Sequence, residues 1–255
     1  FTKIRISLVM AINEVYFMGT CLVDLFYPKA GLAGMQLLKR EGIKVIYPSK
    51  QTCCGQPAFN SGYRKESLPV ARSLIKCFPK DIPIVIPSGS CAGMIKHHWS
   101  ELFEGESDIE TALSVAERVY ELTEFLVDTL NVELTDLGEP TKIAIHTSCA
   151  SRNEMKIAER IEDLVSQLSK VEVLEQERKS ECCGFGGTFA VKQADISGAM
   201  VKDKTDALKA TDASSVISQD CGCLMNIGCA LEKQNSKLKT QHIAEFLWDR
   251  THAKN

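Results

Sequence analysis

Residues 181–189 read Glu-Cys-Cys-Gly-Phe-Gly-Gly-Thr-Phe, and the same Cys-Cys-Gly triplet occurs earlier, at residues 53–55. Neighbouring side chains on an extended strand point to opposite faces, so two adjacent cysteines could not share one site there. A glycine directly after them permits a turn with positive φ and the close approach of another segment. Each triplet is therefore predicted to be a turn that directs both sulfurs toward one object.

Each triplet lies between two further cysteines at matched distances. The spacings before and after the triplet are 31 and 35 residues in the first half of the chain, and 32 and 38 in the second. Corresponding cysteines of the two halves are 128, 129 and 132 residues apart. A repeat of this kind predicts two sets of four thiols. The first set is Cys21, Cys53, Cys54 and Cys91, and the second set is Cys149, Cys182, Cys183 and Cys223.

Short apolar runs alternate with amphipathic stretches between these cysteines. Buried strands are predicted at residues 14–19, 44–47 and 82–86 in the first half and at residues 142–145, 171–174 and 215–218 in the second. Helices are predicted at residues 30–40, 64–77, 109–130 and 153–169. Strands that alternate with helices form parallel sheets through right-handed crossovers. The predicted fold class is α/β, with two pseudo-repeated, small parallel-sheet units.

A polar segment that contains glycine and proline, residues 135–140, is the predicted linker between the repeats. We expect a first domain over residues 14–136 and a second over residues 137–252. In open parallel sheets the functional crevice lies beyond the carboxyl ends of the strands. Because the cysteines of both sets follow predicted strands, both sets are expected at that edge of their sheets.

Composition excludes several classes of protein. Of the 255 residues, 44% are hydrophobic and 25% are charged, as in an ordinary globular protein. The net charge is −3 and the basic residues are scattered, which argues against a nucleic-acid partner. The apolar runs are too short for a transmembrane helix, and no export signal is recognisable. We expect a cytoplasmic protein that reaches a membrane only through partners, with Met10 as the native start.

Eleven cysteines without an export signal favour metal or redox chemistry over a disulfide framework. Four thiolates are the usual complement of a [4Fe–4S] cluster and of a structural zinc site alike. Zinc sites typically use Cys-x₂₋₄-Cys knuckles, which these sets lack, whereas adjacent cysteines can bind different irons of one cluster. One or two [4Fe–4S] clusters are therefore the favoured interpretation. Zinc in one site and unligated buried thiols are the alternatives.

Several stretches resemble the cysteine-rich CCG domain family, and within it the iron–sulfur subunits of lactate utilisation. Examples are Gln-Thr-Cys-Cys-Gly-Gln-Pro at residues 51–57 and Cys-Cys-Gly-Phe-Gly-Gly-Thr at residues 182–188, and the likeness runs from about residue 14 to the C-terminus. The resemblance implies an iron–sulfur electron-transfer subunit of a complex that oxidises L-lactate to pyruvate, rather than a complete enzyme. The partners that it implies are the other subunits, including a ferredoxin-type iron–sulfur protein.

The chain departs from the full family motif at one position in each half. The motif ends Cys-x-x-Cys, but Met94 and Asn226 stand where the last cysteine would be. In heterodisulfide reductases, which belong to this family, the extra cysteine helps to hold unusual clusters that act on disulfides. Its loss favours an electron relay. Thiol or disulfide reduction at a substrate-binding cluster is one alternative, and a zinc-stabilised scaffold that only docks partners is another.

The remaining cysteines and one histidine have weaker signals. The repeat makes Cys223 the ligand and Cys221 an extra cysteine, and Cys77 and Cys229 are predicted to be small buried hydrophobes. His146 follows a predicted strand next to the second set. It either donates a hydrogen bond to a cluster sulfur, which would tune the reduction potential, or is a satisfied structural histidine. No catalytic residue is assigned, because no acid–base set, phosphate loop or flavin fingerprint is recognisable.

Overall fold

The computed structural model describes residues 12–252, which divide into two compact units between Val132 and Glu133. Each unit is built around a four-stranded parallel sheet, so the predicted α/β fold of two repeated units is confirmed. The strands of the first sheet are β1 (Glu14–Phe17), β2 (Lys44–Ile46), β3 (Ile84–Ile86) and β4 (Val119–Glu121). Those of the second are β5 (Thr141–Ile145), β6 (Val171–Val173), β7 (Ser215–Ser218) and β8 (Lys239–His242).

Both sheets have the same strand order, β2-β1-β3-β4 in the first and β6-β5-β7-β8 in the second. The first strand of each unit therefore lies between the next two. Val15 of β1 pairs with Val45 of β2, and Phe17 of β1 pairs with Val85 of β3. Because parallel strands end at the same edge, the loops that follow these three strands lie side by side. The second sheet arranges the loops after β5, β6 and β7 in the same way.

Helices cover the faces of the first sheet. The strand β3 is fully buried and reads Ile-Val-Ile, the continuous apolar pattern of a parallel strand covered on both faces. The helix Pro28–Arg40 begins with proline, whose fixed φ suits the first turn. The remaining helices are Cys21–Phe26, Gln56–Phe59, Arg64–Ile75, Gly89–Gly93, Trp99–Leu102, Ile109–Glu117 and Leu122–Glu124, with π-helical turns at Met94–His98 and Phe125–Thr129.

The core of the second unit is formed by two helices that pack against β5 and β7. Val201 and Leu208 of the helix Ala194–Lys209 meet Ile227 of the helix Cys221–Lys233 in one buried cluster. Cys183 and Cys223 belong to the same cluster, so its packing fixes two of the predicted thiols. The other helices are Arg160–Ser166, Phe189–Lys192 and Ile243–Thr251, with a π-helical turn at Ala150–Glu154.

Two predicted helices are wrong in part. Residues 109–130 were expected to be one helix, but the helix ends at Glu117 and Val119–Glu121 forms β4. Pairing with β3, in which Ile84 lies opposite Val119, overrides the local helical pattern. The helix expected over residues 153–169 is reduced to Arg160–Ser166. Polar β8 gave no strand signal at all.

Within residues 12–252, no helix combines the length and the apolar character that crossing a membrane requires. The expected start at Met10 lies outside the described residues.

Candidate metal centres

The two Cys-Cys-Gly triplets adopt the left-handed turn expected from their glycines. Gly55 has a φ of 89° and Gly184 a φ of 81°. The hydroxyl of Ser67 donates to the Gly55 carbonyl at 3.0 Å, and that of Ser197 donates to the Gly184 carbonyl at 2.8 Å. A Cβ on Gly184 would lie 2.9 Å from the backbone oxygen of Ser197. Only glycine therefore fits this turn without displacement of the neighbouring helix.

The structure brings the four predicted thiols of the first set together. Cys21 follows β1, Cys53 and Cys54 follow β2, and Cys91 follows β3. The thiol of Cys21 donates to the sulfur of Cys53 at 3.8 Å. Interactions with Cys53 and then Cys91, followed by burial, raise the pKa of the Cys54 thiol well above its usual value. The four sulfurs thus form a continuous chain at the carboxyl edge of the first sheet, which we call the first site.

The second set is arranged in the same order at the carboxyl edge of the second sheet. The side chain of Cys182 interacts with those of Cys149 and Cys183, and the sulfurs of Cys183 and Cys223 lie within 4.8 Å of each other. The backbone N–H of Gly184 donates to the Cys182 sulfur at 3.3 Å. We call these four sulfurs the second site.

One thiol of each site is strongly acidic. Hydrogen bonds from Cys21 and then Cys54 lower the pKa of Cys53 to about 3. Hydrogen bonds from Cys149 and then Cys183 lower the pKa of Cys182 to about 2. A thiolate rather than a thiol is the form that binds metals, so each site presents at least one ready ligand at neutral pH.

Glutamines connect the end of the central strand to the triplet loop in both units. Gln51 donates to the Phe17 carbonyl at 3.4 Å and accepts from the Gly19 N–H at 2.9 Å. Gln176 donates to the Ile145 carbonyl at 2.7 Å. Gln51 stands two residues before its triplet, whereas Gln176 stands six residues before its own. No spacing in the sequence therefore reveals that they correspond.

Asn226 and Met94 differ in what they do at the position of the missing family cysteine. The side-chain amide of Asn226 donates to the Cys183 carbonyl at 2.8 Å. Met94 is fully buried, as expected for a packing residue, and the indole of Trp99 donates to the Cys54 carbonyl at 3.4 Å instead. Both triplet backbones are thus held by unrelated side chains from later helices, through contacts that the sequence pattern does not predict.

His146 is buried beside the second site without a hydrogen bond. It is 1% exposed, and in the described part of the chain neither ring nitrogen has a partner. A ligand atom of His146 and the sulfurs of Cys183 and Cys223 all lie within 4.8 Å of one another. Burial, followed by the charges of Lys204 and Arg152, lowers the pKa of His146 to about 3, so the ring is neutral. Buried polar groups are almost always bonded, so the unpartnered ring fits a hydrogen bond to a group held at this site, and the role of His146 stays a prediction.

Two basic side chains that the sequence pattern did not reveal also reach the second site. Arg152 donates to the Cys149 sulfur at 3.8 Å, to the Ser180 carbonyl at 2.6 Å and to the Thr147 carbonyl. Lys204 is fully buried. Its amine donates to the side-chain oxygen of Gln176 at 3.4 Å and to the Arg178 carbonyl. These contacts join residues up to 28 positions apart, which is why local spacing gives no sign of them.

Of the three remaining cysteines, two lie differently from expectation. Cys221 is buried in the first turn of its helix. Cys229 of the same helix is exposed and Cys77 is half-buried, so the prediction that both are buried hydrophobes is wrong. Ile227 and Leu231 face the core from the helix that holds Cys229. Because residue 229 is two positions from each, its side chain falls on the opposite face.

The donor sets fit a metal centre. Four clustered thiols, one of them acidic, suit either an iron–sulfur cluster or a zinc ion. At the second site the unpartnered imidazole adds a nitrogen, which is a ligand for zinc and a hydrogen-bond donor for a cluster sulfur.

Comparison with known proteins agrees with these features. Residues 15–96 and residues 143–228 each match the cysteine-rich CCG domain. The chain is 42% identical over 229 residues to lactate utilization protein A 2 of Bacillus cereus strain Q1, covering 89% of this chain and 95% of that protein. It is 41% identical over 235 residues to lactate utilization protein A of Geobacillus sp. strain WCH70, covering 92% and 98%.

Among solved structures, a hypothetical protein from Helicobacter pylori is similar in fold, with a TM-score of 0.53 and 12% sequence identity. The match covers 99% of this chain and 54% of that protein, so the chain spans about half of its length. This likeness concerns the fold alone.

Proposed function

Because this chain belongs to the cysteine-rich CCG domain family, we propose that it is an iron–sulfur electron-transfer subunit of a complex that oxidises L-lactate to pyruvate. The convergence of four thiols at the carboxyl edge of each sheet is the observation that carries this proposal. Relatives that are named lactate utilization protein A support the choice of lactate.

Each domain, residues 14–136 and residues 137–252, would hold one [4Fe–4S] cluster. A bound cluster supplies reversible one-electron chemistry. The protein residues bind and shield it: the left-handed turns at Gly55 and Gly184 direct paired sulfurs to the site. The proposed ligands are Cys21, Cys53, Cys54 and Cys91 in the first domain and Cys149, Cys182, Cys183 and Cys223 in the second.

The proposal includes partners and a location. A subunit without a flavin or nicotinamide fingerprint needs another protein to take a hydride from a hydroxy acid. We therefore propose that it works with other subunits, among them a ferredoxin-type iron–sulfur protein. We place the complex in the cytoplasm, because reducing compartments preserve thiolate ligands.

Metal analysis of anaerobically purified protein tests the cluster claim. Iron and acid-labile sulfide should both be present, together with a reducible paramagnetic signal. Cys54→Ser and Cys183→Ser should each remove the iron and sulfide of one site. Cys229→Ser, which changes an exposed thiol outside both sites, should remove none. Protein with neither iron nor a reducible signal would contradict the proposal.

Growth on lactate tests the substrate. In a bacterium whose growth on lactate requires a relative of this chain, the wild-type protein and Cys229→Ser should restore growth after that relative is deleted. Cys54→Ser and Cys183→Ser should not restore it, although all four strains grow on glucose. Full growth on lactate with each of the two site variants would show that lactate oxidation does not require the proposed clusters.

A zinc-stabilised scaffold is the second candidate, and one observation favours it. His146, Cys183 and Cys223 offer one nitrogen and two sulfurs within 4.8 Å, which is a donor set typical of structural zinc. Stoichiometric zinc and no iron in the anaerobic protein would select this candidate.

A further inference from the structure

The groups around the two sites differ although the backbones that hold them repeat. Counting from the first cysteine of each site, Arg152 corresponds to Asp24, since each stands three residues later. By the same count His146 corresponds to Met18, three residues earlier. The second site thus has a guanidinium and a neutral imidazole at two positions where the first has an acid and a thioether.

A third difference lies on the helix that follows each triplet. Ser67 and Ser197 make the same hydrogen bond to the triplet glycine, so they mark equivalent positions. Seven residues later the first unit has Leu74 and the second has Lys204, and both side chains are fully buried. A buried amine therefore replaces a buried hydrocarbon beside the second site.

Acidic groups near the second site oppose this charge only in part. Asp220 is buried and accepts from the Gly222 N–H at 3.1 Å, at the position that Ser88 has in the first unit. Glu181 is exposed and pairs with Arg178 at 2.8 Å. The guanidinium of Arg152 contacts the Cys149 sulfur directly, whereas Asp24 is exposed and accepts from the Tyr47 hydroxyl at 3.3 Å.

We propose that the second site holds its redox group at a higher reduction potential than the first, and that Arg152, Lys204 and His146 cause the difference. This inference rests on the proposed function. Reduction adds one electron, and hence one negative charge, to a group that thiolates have already made negative. Positive charge and N–H donors near the sulfurs stabilise the reduced form more than the oxidised form. An electron taken up by this subunit therefore comes to rest at the second site.

A redox titration of the anaerobically purified protein, followed by electron paramagnetic resonance, tests the order. Two transitions are expected, and comparison with Cys54→Ser and Cys183→Ser assigns them to the sites. The second site should be reduced first. Its equilibrium constant for reduction should be at least tenfold larger than that of the first site, which corresponds to a potential difference of about 59 mV for a one-electron couple.

Variants then test the cause. Arg152→Gln should lower the reduction potential of the second site, so that the equilibrium constant for its reduction falls about tenfold. The potential of the first site should not change. Lys204→Leu and His146→Met, which install the residues of the first unit, should act in the same direction. The matched control is Lys202→Gln, an exposed cation on the same helix as Lys204 that pairs with Asp206 at 2.6 Å. It should shift neither potential.

The outcomes separate this inference from the function on which it rests. Iron at both sites with equal or reversed potentials overturns the inference and leaves the electron-transfer function intact. Zinc in the second site, or potentials unchanged in all three variants, also overturns it. If Arg152→Gln loses its metal, the other two variants and the order in the wild-type protein still decide. Absence of iron from both sites defeats the proposed function itself.

Discussion

The two units solve the same structural problem with the same backbone and different side-chain chemistry. In both, a serine hydroxyl holds the triplet glycine and a glutamine joins the triplet loop to the central strand. The charges around the sulfurs are not shared, because Arg152 and Lys204 have no basic counterparts in the first unit. The comparison teaches that bonds that shape the thiol loops are repeated, while the groups that set the electrical environment have diverged.

The largest expected loss of stability concerns the triplet glycines. Gly184→Ala should cost about 1–2 kcal/mol for a left-handed backbone and about 1–3 kcal/mol more for overlap with the backbone of Ser197. Gly55→Ala should cost less, because its new Cβ meets the Ser67 hydroxyl, which can rotate away. Urea unfolding of both variants measures the two costs. Equal costs would show that the second turn is no more constrained than the first.

Ion pairs give the next difference. Arg250 is 8% exposed and pairs at 2.7 Å with Asp136, whose side chain is fully buried. Arg250→Met should lower the free energy of unfolding by about 3 kcal/mol, because it leaves the Asp136 carboxylate unpaired. This value is at the lower end of the range for breaking a buried ion pair, since the pair lies just beneath the surface. Arg72→Met in the first unit should change stability little, because Arg72 and its partners Glu106 and Asp108 are about one-third exposed.

Urea unfolding followed by tryptophan fluorescence checks this contrast, because each unit contains one of the two tryptophans, Trp99 and Trp248. A loss for Arg72→Met as large as that for Arg250→Met would contradict it.

A smaller, pH-dependent difference is expected at the ends of β4 and β8. Glu121 and His242 are both buried and both cap the following helix. Burial raises the pKa of Glu121 to about 8, so the folded state keeps a proton that the unfolded chain releases near pH 4.5. Stability from this group is therefore full below pH 4.5 and falls by about 1.4 kcal/mol per pH unit as the pH rises toward 8.

Glu121→Gln should remove this slope between pH 6 and pH 8, and Glu110→Gln, which changes an exposed carboxylate of the same unit, should retain it. The urea midpoint at the two pH values is the measurement. An unchanged slope in Glu121→Gln would assign the pH dependence to another group.

The smallest effect should be the same in both units. Ser67→Ala and Ser197→Ala each remove one hydrogen bond to a triplet glycine, and each should cost about 1 kcal/mol. Urea unfolding again provides the values. Unequal costs would mean that the repeated hydrogen bond contributes differently to the stability of the two units. The conclusion that the two units share this interaction on equal terms would then be wrong.

Much of the fold could be predicted because its signals are local. Apolar runs before the cysteines gave β1, β2, β3 and their repeats, and the triplet glycines gave the left-handed turns. The strand at Val119–Glu121 could not be predicted, because it is held by pairing with β3 rather than by its own composition.

The candidate sites show the same division. The repeat predicted which eight cysteines the structure brings together as two groups, and their role as cluster ligands stays a prediction. Arg152, Lys204 and Asn226 act through contacts with loops that are distant in sequence. The division into domains at residues 136 and 137 likewise stays a prediction.

Each thiol set draws on the ends of three strands, and this arrangement has a consequence for biosynthesis. No short segment contains a complete site. The first becomes complete only when Cys91 has been added and the second only when Cys223 has been added. Because the amino-terminal part of a chain is synthesised and folds first, the first unit would be ready to receive the proposed metal while the second is still being translated. The linear order of the repeat thus sets an order of maturation, and one polypeptide fixes the ratio of the two sites at one to one.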